Sequence, residues 1–145
     1  MAITREEMVT LLDRRTADWQ DRDPESLAAD YAETAVVESP MTGHSVGREA
    51  IRATYGKFLA AFGDLRIVRE HVLIDGDRAV VVFTFTGTHT GLLFGMQGAG
   101  EALVFRGVSV YKVADGQIVH EQRIFDFTGF LMNLGIITAR PAGDR

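Results

Sequence analysis

The chain has 145 residues, a formal net charge of −5, a pI near 5.3, 46% hydrophobic residues and no cysteine. That length suits one folded unit with a real core and is too short for two. The acidic balance argues against nucleic acid, which needs a basic face; the absence of thiols excludes disulfides and cysteine zinc sites, and no apolar run approaches a membrane span.

Thr4 followed by Glu7 forms a capping box. Behind it Met8, Leu11, Leu12, Arg15 and Trp19 recur at helical spacing and predict an amphipathic helix to about Gln20. Asp23-Pro24 restarts the chain as N-cap and first helical residue, with Leu27 and Tyr31 one turn apart on the inner face of a short helix. Ala35 to Ser39 reads as a strand that stops at Pro40, and a polar loop from Thr42 to Gly47 leads into a third helix. The apolar stripe of that helix is Ile51, Tyr55, Phe58, Leu59 and Phe62, with Gly63 placed to end it.

The period then switches to two. Leu65 to Asp75, Ala79 to Thr90, Ala102 to Val113 and Ile118 to Phe127 read as strands. Val81, Phe83, Phe85, Gly87 and His89 share one face of the second, and Thr84, Thr86, Thr88 and Thr90 the other. Gly91 to Gly100 is a glycine-rich connection carrying Leu92, Leu93, Phe94 and Met96, either a flap or a contact between subunits. Ala114-Asp115-Gly116-Gln117 is a hairpin signal. A short helical turn from Gly129 to Leu134 closes the fold, giving a domain over residues 1–138 and a polar tail over 139–145. The class is α+β, with the strands expected to pair antiparallel because their connections are too short for crossovers. A strongly curved, cone-shaped sheet with three N-terminal helices on its concave face would enclose a pocket between the layers.

Four stretches resemble the SnoaL-like polyketide cyclases of the ketosteroid-isomerase-like superfamily: Tyr31 to Pro40 (YAETAVVESP), Gly47 to Ile51 (GREAI), Gly87 to Gly91 (GTHTG) and Val113 to Gly135. The resemblance implies this fold, a homodimer, a small hydrophobic substrate and chemistry without a cofactor. Steroid isomerase chemistry is not expected, because that enzyme's general base falls on Ser39, its oxyanion-binding tyrosine on Arg15 and its protonated aspartate near Val108. Two supporting tyrosines match at Tyr31 and Tyr55. The acid/base aspartate of the SnoaL-like pattern falls on Asp126.

Asp126, between Phe125 and Phe127, is the candidate proton carrier, since apolar neighbours raise a carboxyl's pKa. Its bland alternative is an N-cap for the turn that follows. Parity decides between them: either Gln122, Ile124 and Asp126 face inward, or Glu121, Arg123 and Phe125 do. His89 is the second catalytic candidate, positioned to share a proton with Asp126 or with a substrate oxygen, or else to bond a backbone carbonyl at a sheet edge. Arg15 sits in an apolar stripe, either as a clamp for a substrate oxygen or snorkelling to solvent. Trp19, Tyr31, Tyr55, Ser39, Phe83, Phe85, Phe105 and Phe125 complete the expected substrate lining. No histidine pair has ligand spacing, so no metal site is expected. The start, Met1 to Glu7, is too polar for a signal peptide, and a cytoplasmic protein is the default. The expected function is a cyclase or isomerase of a polyketide-like carbonyl compound by acid/base catalysis, with templated cyclisation and non-catalytic binding as alternatives.

Overall fold

The capping box forms as read: Glu7 N–H donates to Thr4 Oγ1 at 3.1 Å, and Thr4 N–H donates to Glu7 Oε1 at 3.3 Å. It opens α1 (Arg5–Gln20), which buries Met8, Leu11, Leu12 and Arg15. This computed structural model describes residues 2–143; Met1 and the last two residues of the expected 139–145 tail lie outside the described residues. Asp23 caps α2 (Pro24–Ala29) through the N–H groups of Glu25 and Ser26. The short helix ends sooner than expected, and Tyr31 belongs instead to strand β1 (Tyr31–Ser39). A hairpin carries β1 into β2 (Gly43–Val46), where a polar loop was predicted. Helix α3 (Arg48–Ala61) follows, burying Ile51, Tyr55, Leu59 and Ala61.

The long strands are β3 (Arg66–Asp75), β4 (Arg78–His89), β7 (Glu101–Ala114) and β8 (Gln117–Phe125). Between β4 and β7 the glycine-rich connection folds into a small hairpin of its own, β5 (Leu92–Leu93) and β6 (Met96–Gln97). Asp115 and Gly116 take φ of +52° and +76°, the pair of positive angles that a two-residue hairpin turn needs. Helix α4 (Phe127–Asn133) begins two residues before the predicted turn.

The main sheet runs β2-β1-β8-β7-β4-β3. Its β1–β8 pairing is parallel, which corrects the all-antiparallel expectation. Short connections constrain only strands that follow each other, and β1 and β8 are separated by most of the chain. Register breaks at Arg69/His71, Lys112/Val113 and Tyr31/Val36 mark bulges, and bulges bend strands. The result is an open, curved, mixed sheet with helices on its concave face. Burial alternates along β4: Ala79, Val81, Phe83 and Phe85 are buried, Thr86 is exposed and Thr84 and Thr88 are half-buried. Among the described residues no helix is long and apolar enough to cross a membrane, and no group of three histidine or carboxylate side chains is arranged to hold a metal ion.

Candidate functional site

Between α1, α3 and the concave face lies a cavity of about 100 Å³. Its walls are aromatic because the inward positions of β4, β7 and β8 carry Phe83, Phe85, Phe105 and Phe125, and α1 and α3 add Trp19, Tyr55 and Phe58. The rings meet edge to face, with Trp19 and Phe85 centroids 5.0 Å apart and Phe83 and Phe85 also 5.0 Å apart. Gly107 on β7 makes room for this packing, since a Cβ there would lie 2.7 Å from Phe83 Cζ. Thr16, Met41, Thr42, Thr54 and Arg69 line the cavity and keep partial exposure, so this side is its mouth.

The opposite end is polar and tightly bonded. Glu121, 1% exposed, accepts from Tyr31 Oη at Oε1, from Ser109 Oγ at Oε2 (2.8 Å) and from Arg123 Nε at Oε2 (2.9 Å). Arg123 Nη2 donates to Tyr55 Oη at 2.9 Å and to Glu121 Oε1 at 3.2 Å. Arg15 reaches the same cluster from α1, donating from Nη2 to Tyr55 Oη at 2.6 Å and to Tyr31 Oη at 3.1 Å. Its Nη1 donates to Leu27 O at 3.1 Å and to Asp30 Oδ2 at 3.3 Å. The two tyrosine hydroxyls lie 2.7 Å apart. Arg123 Nη1 and Tyr111 Oη, both on lining residues, make no hydrogen bond among the described residues.

Electrostatics fix the protonation states. Burial pushes the Glu121 carboxyl up, but the charge and hydrogen bond of Arg123, with Arg15 behind it, overcome that and hold it down at about 2. Burial, then the charge of Glu121, raises the Tyr111 hydroxyl to about 12. Burial likewise drives Tyr31 well above its usual range, against the opposing pull of Arg15. At neutral pH the cluster therefore holds an ionised Glu121, two guanidinium ions and the protonated hydroxyls of Tyr31 and Tyr111. It is rich in donors, and its Glu121 carboxylate is too weakly basic to take up a proton at neutral pH.

The structure brings Arg15, Trp19, Ser39, Tyr55, Phe83, Phe85, Phe105 and Phe125 into the lining, and Tyr31 joins through its hydroxyl. Arg15 does not snorkel: it is 3% exposed with its head inside the cluster. The two residues expected to move protons lie elsewhere. Asp126 is exposed, outside the lining, and accepts from Gly129 N–H at 2.9 Å as the N-cap of α4. Parity explains this: Glu121, Arg123 and Phe125 point inward, so Gln122, Ile124 and Asp126 point out. His89 is buried beneath Phe62, ring centroids 5.5 Å apart, and away from the lining. Its Nδ1 lies 3.5 Å from Glu101 Oε2, and neither ring nitrogen makes a hydrogen bond among the described residues. Glu121, Arg123, Ser109 and Tyr111 were not among the expected site residues; their signal was their shared parity with Phe125 and Phe105.

The family model for SnoaL-like polyketide cyclases matches residues 10–134. The chain belongs to that family. Among solved structures, a protein from Jannaschia sp. CCS1 assigned as a SnoaL-like polyketide cyclase superposes with a TM-score of 0.81 at 19% identity, covering 92% of this chain and 94% of that one. AclR of Streptomyces galilaeus, assigned as a hydroxylase, gives 0.81 at 22% identity over 96% and 87%. IdmH of Streptomyces antibioticus, assigned as a polyketide cyclase, gives 0.73 at 23% identity over 88% and 97%. Identities this low speak for the fold. No curated protein matches the chain.

Proposed function

We propose that this chain is a cofactor-free cyclase or isomerase of a small hydrophobic, polyketide-type carbonyl compound, and that it works by stabilising an enolate oxygen. The carrying observation is Arg123 Nη1, a charged donor on a lining residue that has no hydrogen-bond partner among the described residues; Arg15 Nε, buried deeper in the cluster, is likewise unpaired there. Family membership supports the reaction class, and the aromatic walls support an apolar substrate held in a folded shape. A proton leaves the carbon beside the substrate carbonyl for solvent at the mouth. The enolate oxygen rests on Arg123 and Tyr111. The enolate carbon attacks a second carbonyl, whose oxygen then takes a proton from solvent. Where the enolate is conjugated with a double bond, the far end of that system instead takes the proton and the double bond shifts. Glu121 stays ionised and aims Arg123; Arg15 and the tyrosines hold Glu121 and Tyr55.

The test is hydrogen–deuterium exchange at the α-carbon of an enolisable ketone such as phenylacetone, followed by NMR. Arg123→Lys keeps a cation opposite Glu121 and removes the forked donor. Losing an oxyanion donor typically costs about 10²–10³-fold, and that fall is expected. Equal exchange by the folded variant overturns the reading. Templating by the aromatic walls alone is the second reading, favoured by the occupation of both Glu121 oxygens by protein donors. It predicts indifference to Arg123→Lys and sensitivity to Phe85→Ala.

A further inference from the structure

The enclosed end of the cavity sets both the size and the charge of what it holds. The whole cavity, mouth included, is about 100 Å³, and a cavity of about 150 Å³ in another protein takes benzene, so it encloses no more than one ring. A larger molecule would have to leave its remainder outside the mouth formed by Met41, Thr42 and Arg69. The walls suit a flat ring: Trp19, Phe85, Phe105 and Phe125 present faces and edges within a connected aromatic set, with Phe85–Phe105 centroids at 5.0 Å and Phe105–Phe125 at 5.2 Å. At the polar end the groups left over are a guanidinium N–H, which only donates, and a tyrosine hydroxyl, which donates or accepts. Arg123 Nη1 is a charged donor, and Tyr111 keeps its proton because burial and Glu121 raise it. Among the described residues the one carboxylate in the lining, Glu121, spends its two oxygens on Tyr31, Ser109 and Arg123. A ligand hydroxyl entering as O–H finds only the neutral Tyr111 oxygen to accept from it, whereas an oxygen that has lost the proton takes charge-assisted bonds from a guanidinium together with that hydroxyl.

We infer that the enclosed end takes one planar ring carrying an acidic enol or phenol oxygen, bound as the anion, with that oxygen on Arg123 and Tyr111. This rests on the reading of Arg123 given above and names the ligand class of that same site.

The probe is 4-nitrophenol, whose neutral and ionised forms absorb at different wavelengths, titrated into the full chain below the phenol's own pKa. The nitrophenolate band grows on binding, and 4-nitrophenol binds about ten- to a hundredfold more tightly than its methyl ether, 4-nitroanisole. Tyr111→Phe and Arg123→Lys each shrink that preference while nitrobenzene binds as before, which shows that the cavity survives. Equal binding of phenol and ether, a bound species with the neutral spectrum, or failure of all three rings to bind overturns the inference. The two readings separate: phenolate capture with Arg123-independent α-exchange keeps the ligand class and removes the catalytic role. Arg123-dependent exchange without phenolate capture does the reverse.

Discussion

Glu121→Gln gives the sharpest test of how the polar cluster is held. In the fold the carboxyl sits at about 2 against an ordinary value of 4.5, and at about 1.4 kcal/mol per pH unit that drop is worth about 3 kcal/mol. Because the folded value is the lower one, the stabilisation is complete above about pH 4.5 and drains away as pH falls towards 2. By about pH 3 less than half remains. The glutamine side chain has no charge to lose, and its amide sets a donor against Ser109 Oγ or Arg123 Nε, leaving the guanidinium without a counter-charge. Breaking one partner of a buried pair costs about 3–5 kcal/mol, consistent with the titration figure. Urea unfolding of both proteins near neutral pH should differ by about 3 kcal/mol, with a fall in Tm of about 6–12 °C for a chain this size. Near pH 3 the gap should shrink to less than half. A gap below about 1 kcal/mol at neutral pH, or one that stays constant down to pH 3, would refute the assignment of Glu121 as the ionised anchor.

Asp126→Ala removes the α4 N-cap and should lower stability by about 1 kcal/mol in denaturant unfolding, with α-exchange at the wild-type rate; loss of exchange would return Asp126 to the chemistry. His89→Phe replaces a buried ring whose nitrogens lack hydrogen bonds, and should leave Tm unchanged or raise it by a few degrees, about 1 kcal/mol. A clear fall in Tm would mean that the contact with Glu101 stabilises the fold.

Much of the architecture is local chemistry and so is legible in the chain. Thr4 and Glu7 start α1, Asp23-Pro24 starts α2, Asp115-Gly116 turns the last hairpin, and the alternation from Val81 to Phe85 names the inner face of β4. Each depends on residues within a few positions of one another. The sequence likewise selects the aromatic lining, since inward parity and aromatic identity coincide at Phe83, Phe85, Phe105 and Phe125. The parallel docking of β1 on β8 joins distant segments, so no local pattern contains it. The parity of β8 is equally silent, because Gln-Ile-Asp and Glu-Arg-Phe are both plausible inner faces until the opposing side chains are known. Only the tertiary structure supplies Arg15, Tyr31 and Tyr55 from α1, β1 and α3 to meet Glu121 and Arg123. Burying that acid and that base is affordable only with those partners in place, and they turn Asp126 out to cap a helix.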